Sequence, residues 1–578
     1  MNNLDSDIKK LRVRDPKVTF TLNTEQSAIN ILRGNLAAPV NVSELRKSPY
    51  EHARQFLREN KSIVGEIDET NELINERAMT NRHGMTHVVF QQKHGDALVM
   101  GGTLSAHYGA DGGMYLVKSN LTPIIDVPKE PKIPADRAVE IAKKHAGEGA
   151  LLYENMNPIL TVVDAKTLHL DDEPQRYYLC WKIGVILPSG LQQVNSFYFV
   201  DALNGEIRLV YPAVQMGIGM GHYSQGIALN SEAFGTTYRL RDIVTSLPWP
   251  VTNNKLVIHL FDDNGSTSLN LINYSEDFND NWDNGRVNPS NRADDQSEEV
   301  DLHRYMGYVL SYYYQTHGHN GWDGKGADSR CHAHNECYPN NAFWDNLGNE
   351  MYFASGDGKY YDFMCPLDVV GHEFTHGVIS GFNILQLYKG ETGALNEAIA
   401  DIFGALVSLQ YPAEVPNPWI HGSQYDLPLH LGRNMSDPSR DINGVVQYND
   451  ANDTTKLESY PYCPDHYSIR YKPRIPWTKN NDFGGVHVNA PIITHAVYLM
   501  INGGIHRLSN ISVTGIGVAP VEEMLYEIIS SGLLNNTSDF ADFCIAFIEA
   551  CQTLYPENLD YLVTVKAAFD AVGIAYDI

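Results

Sequence analysis

Residues 368–378 read Asp-Val-Val-Gly-His-Glu-Phe-Thr-His-Gly-Val, and residues 396–401 read Asn-Glu-Ala-Ile-Ala-Asp. The apolar residues around the first stretch predict a buried helix, on which side chains four positions apart share one face. His372 and His376 can therefore offer two imidazoles to one metal ion, with Glu373 beside them. The alternative is a chance match on an exposed helix whose Glu forms a salt bridge, but the apolar setting favours the metal site.

The second stretch supplies the acids that such a site needs. Catalytic zinc takes three protein ligands, for example two His and one Glu, and keeps one open position. Glu397 is the expected third ligand. Asp401 lies one helical turn further along and is placed to accept a ring N–H from a zinc-bound histidine.

Further motifs accompany this pair in a fixed order along the chain. Together with the zinc motif they resemble the thermolysin-like metallopeptidases, from about residue 300 to the C-terminus. The motifs are Asn-Asn-Ala-Phe-Trp (340–344), Tyr388 with Glu-Thr-Gly-Ala-Leu-Asn-Glu (391–397), Gly-Arg-Asn-Met-Ser-Asp-Pro (432–438), Asp-Phe-Gly-Gly-Val-His-Val-Asn (482–489) and Val-Lys-Ala-Ala-Phe-Asp-Ala-Val-Gly-Ile (565–574).

The resemblance implies a zinc endopeptidase with one catalytic Zn²⁺ ion. Glu373 would act as general base for the attacking water and then protonate the leaving nitrogen. His487 and Tyr388 would stabilise the oxyanion, and Asp482 would orient His487. Taken alone, a His after two glycines or one Tyr among 33 is weak evidence for catalysis.

The resemblance also assigns residues to the substrate. Asn341 and the backbone carbonyl of Ala342 would bind the substrate main chain along an edge strand. Arg433 would hold a substrate carbonyl, although from the residues alone it could equally cap a loop or pair with an acid. Family members cleave on the N-terminal side of bulky hydrophobic residues, and we expect the same preference here.

Two departures from the family pattern concern spacing and calcium. The interval from His376 to Glu397 is one residue longer than usual, which a loop before Tyr388 can absorb. Many relatives bind a pair of Ca²⁺ ions near the zinc, and Asp368 matches one of their acids. Ser408 and the run 417–423 stand where further acids are expected. Because Ca²⁺ takes six to eight oxygen ligands, we expect the double site to be absent, with a single calcium elsewhere left open.

Composition sets limits on the class of protein. The chain has 578 residues, 43% hydrophobic and 20% charged, which is ordinary for a globular protein of several domains. The net charge of −27 disfavours nucleic acid and anionic lipid as partners. No apolar run is long enough to span a membrane. We expect a monomer that acts on proteins or peptides.

The N-terminus and the cysteines leave alternatives open. Relatives are typically secreted, yet the first residues lack the apolar core of a signal peptide. Trimming, unconventional export or an intracellular location would each explain this. Cys331 and Cys337 bracket His-Ala-His-Asn-Glu, which we interpret as a disulfide-closed loop or two free thiols rather than a second metal loop.

The resemblance and the local patterns together predict an α+β protein. We expect a two-lobed thermolysin-like peptidase, with a β-rich N-terminal lobe, a mainly α-helical C-terminal lobe and zinc in the cleft. Two small α+β modules would precede it as a propeptide. The expected divisions are an N-terminal extension (1–45), a propeptide domain (46–125), a helix-plus-sheet inhibitory module (126–214), the β-rich lobe (215–366) and the helical lobe (367–578).

Within these divisions, several elements are predicted directly. Pro134 suits the first turn of a helix ending near His145, and Asn204-Gly205 indicates a β-hairpin. Residues 298–315 predict a tyrosine-rich helix, and residues 439–475 an inserted loop.

The N-terminal modules imply a zymogen whose own propeptide inhibits it. The Gly-rich change of composition between Pro212 and Gly219 marks the expected cleavage site. A permanent accessory domain is the alternative. A binding protein on a degenerate peptidase fold and a structural zinc site are two further alternatives, but no ligand is lost and the acid Glu373 is retained.

Overall fold

The structure is a computed structural model of the full chain. The residues it describes are 2–23, 28–61, 72–81, 83–122, 125–147, 149–152, 157–165, 167–168, 176–186, 196–212, 214–217, 232–234, 237–243, 257–269, 274–277, 296–357, 363–424, 433–440, 446–450, 453–460, 463–473 and 475–577.

An eleven-stranded sheet dominates the N-terminal part. Its main path runs β1-β2-β6-β5-β8-β9-β10-β11, with β4 also on β5, β3 on β4 and β7 on β9. The predicted hairpin at Asn204-Gly205 joins β10 to β11. The elements are α1 (Asn2–Arg14), β1 (Thr19–Asn23), β2 (Ala28–Ala37), α2 (Val42–Lys47), α3 (Pro49–Glu59), β3 (Leu73–Thr80), β4 (Thr86–His94), β5 (Ala97–Tyr108), β6 (Met114–Ser119), α4 (Ala135–Ala146), β7 (Leu151–Leu152), β8 (Ile159–Asp164), β9 (Tyr177–Ile186), β10 (Ser196–Asp201) and β11 (Ile207–Pro212).

This sheet does not break at the expected module boundaries. Residues 1–45 were expected as an extension, but β1 and β2 lie within it and β2 pairs with β6. Residues 46–125 and 126–214 are joined by the parallel pairing of β5 with β8, through Leu98–Thr161 and Val99–Val162. Each part nevertheless has its own apolar cluster, so the sheet is continuous while the cores are separate.

A six-stranded sheet follows, in the order β12-β19-β20-β18-β16-β15, with a three-stranded sheet β13-β14-β17 beside it. The predicted tyrosine-rich helix is α5, which packs against this sheet and the helical lobe. The elements are β12 (Val214–Gly217), β13 (Glu232–Phe234), β14 (Thr237–Arg239), β15 (Arg241–Ile243), β16 (Val257–Asp262), β17 (Glu276–Asp277), α5 (Ser297–His317), β18 (Ser329–Ala333), β19 (Ala342–Asp345) and β20 (Glu350–Phe353).

The C-terminal part is mainly helical and shares its apolar core with α5 and the six-stranded sheet. Its elements are α6 (Leu367–Gly381), α7 (Gly390–Gln410), β21 (Val446–Asp450), β22 (Asp453–Tyr460), α8 (Asp482–Asn502), β23 (Gly504–Ile505), β24 (Ser512–Val513), α9 (Val518–Ser531), α10 (Phe540–Leu554) and α11 (Leu559–Ala571), with 3₁₀ turns at Pro438–Arg440, Tyr467–Ile469 and Lys479–Asn481.

Two glycines allow α6 and α7 to approach closely. A Cβ atom on Gly371 would lie 3.2 Å from the Cα of Gly404, and one on Gly404 would lie 2.5 Å from the carbonyl oxygen of Asp368. Backbone-to-backbone contact of this kind requires residues without side chains. The two motif helices therefore present their polar residues to each other at short range.

Two expectations are corrected by these elements. The stretch 439–475 is not a simple inserted loop, because β21 and β22 form an antiparallel hairpin within it; residues 441–445, 451–452, 461–462 and 474 lie outside the described residues. Cys331 and Cys337 are both free thiols, so the disulfide alternative is wrong.

One described helix, α7, is long and apolar enough to cross a membrane, and 94% of its apolar window is buried inside the protein. Core helices of globular proteins meet the same criteria, so this feature matches the position of α7 in the core.

Candidate metal centre

Helices α6 and α7 bring the three expected ligands together. The Nε2 atoms of His372 and His376 lie 2.9 Å apart. Glu397 places Oε2 at 3.5 Å from Nε2 of His372 and Oε1 at 3.4 Å from Nε2 of His376. All three side chains are fully buried. The spacing of four on α6 and the position of Glu397 on α7 thus produce one compact donor set.

The other ring nitrogens show why this set fits a cation. Nδ1 of His376 lies 2.7 Å from Oδ1 of Asn396, whose Nδ2 donates to the carbonyl oxygen of Leu385. Nδ1 of His372 lies 2.9 Å from Oδ1 of Asp401. Both Nδ1 atoms face acceptors and so carry the protons, which leaves two Nε2 lone pairs directed at each other. A divalent metal ion relieves that repulsion, and two His with one Glu is a donor set that zinc accepts.

Asp401 lies behind the ligands and is held by a second partner. Arg433 donates to it through Nε at 2.6 Å and Nη2 at 2.5 Å, and its Nη2 lies 3.7 Å from Oε2 of Glu397. Burial alone would raise the pKa of Asp401, but the charge of Arg433 keeps it well below its usual range. Asp401 therefore remains a carboxylate that can orient His372.

Glu373 faces the same space without a partner of its own. Both carboxylate oxygens are buried and accept no hydrogen bond from the described residues. Burial raises the pKa of Glu373 to about 8. A raised pKa makes the Glu373 carboxylate a stronger base, and its oxygens are placed to accept a proton from water.

A kinked segment brings His487 to the centre. Asp482 and Phe483 have positive φ angles of 54° and 47°, and two glycines with positive φ follow. A Cβ atom on Gly484 would lie 2.7 Å from Trp477, so this turn requires glycine. The turn places Oδ1 of Asp482 at 2.6 Å from Nδ1 of His487, while Oδ2 accepts the backbone N–H of His487 at 2.8 Å.

Tyr388 and His487 converge on Glu397. The Tyr388 hydroxyl donates to Oε1 of Glu397 and lies 3.3 Å from Nε2 of His487. Burial alone would lower the pKa of His487, but the carboxylates of Glu397 and Asp482 raise it to about 9. Two hydrogen-bond donors therefore stand together beside the donor set.

The expected substrate edge is strand β19, and the chain covers it itself. Ala342 begins this strand and Asn341 immediately precedes it. Strand β12 pairs antiparallel with β19, with Gly217 opposite Ala342 and Val214 opposite Asp345. Strand β12 belongs to the expected cleavage segment 212–219, of which residues 213, 218 and 219 lie outside the described residues.

The expected absence of a calcium pair concerns the surroundings of Asp368. Its carboxylate accepts backbone N–H groups from Val369 and Gly422. His421 is buried beside it, with Nδ1 at 3.8 Å from Asp368 and 3.5 Å from Asp401. An imidazole therefore takes space where calcium needs oxygen ligands. The expectation that the double calcium site is absent remains a prediction.

Sequence reasoning singled out each polar side chain at this centre except Asn396 and His421. Asn396 was quoted only as part of the second motif, although its place before Glu397 on a buried helix was a usable signal. His421 lies in the divergent run 417–423, where no periodicity indicates which side chain turns inward.

A second buried cluster in the β-rich lobe contains both histidines of the Cys331–Cys337 loop. His332 lies between Asp263 and Glu350, at 3.1 Å from each. His334 lies 3.1 Å from Glu298. Burial opposes the charged form of both rings, but these carboxylates raise their pKa above the ordinary value. The rings therefore serve as cations in an ion-pair network.

Two imidazoles and a carboxylate lie together in the core between a β-rich and a helical lobe, with the acid Glu373 beside them. This arrangement is typical of a hydrolytic metal centre. A model of the thermolysin metallopeptidase catalytic domain matches residues 216–380, and one of the thermolysin metallopeptidase alpha-helical domain matches residues 385–574.

Complete relatives extend this similarity to the N-terminal part. Bacillolysin from Bacillus caldolyticus is 30% identical over 519 residues, which cover 85% of this chain and 84% of that protein. Thermolysin from Alicyclobacillus acidocaldarius subsp. acidocaldarius is 29% identical over 558 residues, 91% of this chain and 90% of that protein. Among solved structures, the precursor of protealysin, a metalloproteinase from Serratia proteamaculans, has a TM-score of 0.41 at 22% identity, covering 56% of this chain and 89% of that one, a likeness too weak to define the fold.

The chain belongs to the thermolysin family of metallopeptidases. It is therefore a zinc metalloendopeptidase, an enzyme that hydrolyses internal bonds of proteins and peptides.

Proposed function

We propose that His372, His376 and Glu397 hold the zinc ion and that Glu373 is the general base. The donor distances of 2.9 to 3.5 Å and the paired Nε2 lone pairs support this assignment. When bound, zinc lowers the pKa of its water and polarises the substrate carbonyl. Glu373 takes the proton of the attacking water and delivers it to the leaving nitrogen.

The oxyanion of the reaction is stabilised by Tyr388 and His487. Both donors already lie at the donor set, and Asp482 holds His487 through Nδ1 so that Nε2–H faces the reacting carbonyl. Arg433, fixed by Asp401, holds a substrate carbonyl. Asn341 and the carbonyl of Ala342 bind the substrate backbone, on the N-terminal side of a bulky hydrophobic residue.

The enzyme is made as a proenzyme whose N-terminal part covers the cleft. Pairing of β12 with β19 is the single observation that carries this proposal, because the chain then occupies its own substrate edge. Leu347 and Leu387, which flank the edge strand and Tyr388, pack into the cluster that contains Phe197 and Phe199. The division into residues 1–214 as propeptide and 215–578 as peptidase places the cut, expected between 212 and 219, at the start of β12. Cleavage there ends the covalent link between this strand and the N-terminal sheet, so that the strand can leave β19.

Buried polar contacts hold the two parts together. Arg33 bonds Glu549 on α10, Arg77 donates to the carbonyl oxygen of Phe382, and Lys118 donates to that of Leu533 at 2.5 Å. Each cation comes from the N-terminal sheet and each acceptor from the helical lobe. A permanent accessory domain would keep these contacts, whereas a propeptide must lose them after cleavage.

Casein hydrolysis tests the proposal. We expect the full chain to convert itself to a form beginning near residue 215, seen by intact mass, and to lose activity when zinc is chelated. Glu373→Gln should abolish both cleavage and hydrolysis while zinc remains bound. Glu414→Gln, an acid paired with Arg304 away from the centre, is the control. Full activity of Glu373→Gln would exclude the general-base role, and full activity without cleavage would exclude the proenzyme.

We also propose that the enzyme acts outside the cell, as thermolysin-like relatives typically do. Intact mass of the protein recovered from culture medium and from cells tests this location directly.

A further inference from the structure

The contact between the N-terminal sheet and α9 contains a buried polar chain that catalysis does not use. His87 on β4 and His107 on β5 face each other as a cross-strand pair, and both are buried. Their Nδ1 atoms lie 2.9 Å apart. Nε2 of His87 lies 3.3 Å from Oε1 of Glu527 on α9, and Nε2 of His107 lies 2.9 Å from Oγ of Ser105.

The partners at the two ends accommodate one consistent arrangement of the protons. Oδ1 of Asn81 accepts two backbone N–H groups, at 3.0 and 3.1 Å, so its Nδ2 group is the one that faces Nε2 of His87, at 3.3 Å. The same Nδ2 group donates to Oε2 of Glu527 at 3.1 Å. At the other end, Oγ of Ser105 donates to the carbonyl oxygen of Gly532, which follows α9, at 3.4 Å.

Every link is then satisfied when both imidazoles are neutral. Asn81 donates to Nε2 of His87, Nδ1–H of His87 donates to Nδ1 of His107, and Nε2–H of His107 donates to Ser105. An extra proton on His87 finds Glu527 as its acceptor. A second proton on the pair would place two N–H groups opposite each other across the 2.9 Å contact between the Nδ1 atoms, so the pair holds at most one charge while the contact is closed.

Burial and neighbouring charges also disfavour protonation of this histidine pair. Burial lowers the pKa of His107 well below its ordinary value, and the charges of His87, Arg33, Lys118 and Arg77 lower it further. Burial also lowers the pKa of His87, partly offset by Glu527. The other titratable groups at this contact are His83, Tyr115, Glu523, Tyr526 and Glu549.

We propose that the chain from Asn81 through His87 and His107 to Gly532 is a proton-sensitive latch that separates the N-terminal sheet from α9 under acidic conditions. This inference rests on the proposed function, in which the N-terminal part covers the cleft. Acid then favours release of the inhibitor through its own contact with the helical lobe, at a distance from the zinc ligands.

The difference in proton binding between the open and closed states determines how the latch responds to pH. In the open state both histidines titrate near pH 6.5, whereas the closed state lowers their pKa, so the latch is fully closed above about pH 6.5 and weakens as the pH falls. For one histidine that cannot take a proton while closed, the opening constant rises about tenfold per pH unit. Between pH 7.5 and 5.0 this amounts to roughly thirtyfold.

Hydrogen exchange on the full chain tests the latch. The parent carries Glu373→Gln to prevent self-cleavage, and exchange of β4, β5 and α9 is followed from pH 7.5 to 5.0 after correction for intrinsic rates. We expect opening to increase about thirtyfold over that range. The readout does not depend on catalysis, so failure of the latch and failure of the peptidase assignment are separate results.

Two substitutions are expected to act in opposite directions. His107→Asn keeps an acceptor near the position of Nδ1 but cannot be protonated, so most of the acid-induced increase should disappear. Glu527→Gln removes the negative charge that stabilises a proton on His87, so opening should begin at higher pH and rise more steeply. His83→Asn is the matched control, because His83 lies at the same contact beside Glu523 but is 42% exposed.

The following results would overturn the latch. The first is parent exchange that does not change with pH, and the second is a full acid response in His107→Asn. If His107→Asn does not fold, a Glu527→Gln profile no steeper than that of the parent decides against the proposal. A further such result is an exchange profile that changes with added Zn²⁺ but is unaffected by His107→Asn. The cluster would then be a metal site instead.

Discussion

The single residue Asp401 contacts two neighbouring side chains. It lies against Nδ1 of His372 and binds Arg433 through both carboxylate oxygens. Asp401→Asn should lower zinc affinity about 10- to 100-fold, because the oriented ring loses its carboxylate partner. It should also lower the free energy of unfolding by about 3–5 kcal/mol, because Arg433 is left as a buried unpaired charge. Chelator competition and thermal unfolding measure the two effects.

The control for that substitution is Asp437→Asn. Asp437 pairs with Arg440 at 2.8 Å, but the arginine is 83% exposed, so the change should alter stability by about 1 kcal/mol or less. Equal losses in the two variants would mean that Asp401 has no special role.

The pH dependence of activity is also expected to depend on a single residue. In the proposed mechanism His487 donates to the oxyanion in its charged form, which Glu397 and Asp482 favour, so kcat/KM should fall as the pH rises through the pKa of His487. Asp482→Asn removes one carboxylate and should move this alkaline limb to lower pH. A pH–rate profile measures the shift, and an unmoved limb would assign it to another group.

Strand β12 gives a prediction at the scale of one element. It lies at the edge of its sheet with β19 as its hydrogen-bonded partner, and N–H groups alternate in direction along a strand. Of Gln215→Pro and Met216→Pro, only one removes a hydrogen bond to β19. That variant should raise peptide hydrolysis by the uncut chain, and the other serves as its control.

Hydrolysis of a small fluorogenic peptide by the intact chain, with its mass checked before and after, measures this difference. If neither proline raises activity, the pairing of β12 with β19 is not what blocks the cleft.

Elements with a strong local signal were predictable from sequence. The helices α5, α6 and α7 follow from apolar and tyrosine periodicity, and the hairpin after β10 follows from Asn204-Gly205. The hairpin β21–β22 was missed because its Asp- and Asn-rich residues are typical of loops. The pairing of β5 with β8 joins residues some 60 positions apart, and no local pattern encodes such a register.

Across the whole molecule, some contacts of the candidate sites were predictable from sequence and others were not. His372, Glu373, His376 and Glu397 lie on two helices adjacent in sequence, so spacing alone indicated their convergence. The contact of Asp368 with His421, and that of His87 with Glu527, join residues far apart in the chain. These contacts depend on tertiary packing, which a single sequence does not display.

Stability of the whole molecule should not depend on calcium. His421 and the backbone N–H of Gly422 surround Asp368, so no set of six oxygen ligands forms there among the described residues. We expect millimolar Ca²⁺ to shift the unfolding temperature by no more than about 2 °C when zinc is supplied, because without the double site, which is predicted to be absent, Ca²⁺ contributes no binding energy to the folded state. Calorimetry with added Ca²⁺, and with EGTA plus excess zinc, measures this, and a large calcium-dependent rise would reveal a site elsewhere.

Leu347 and Leu387 are 4% and 7% exposed and pack in one apolar cluster with residues of the N-terminal sheet. In the proposed processing that cover is removed, and both side chains gain exposure to water. Compared with the uncut precursor, the processed enzyme should then adsorb more readily to apolar surfaces and to other protein chains. The precursor is therefore the form better suited to storage at high concentration. The apolar surface at the mouth of the cleft becomes available only after processing, when the enzyme binds substrate.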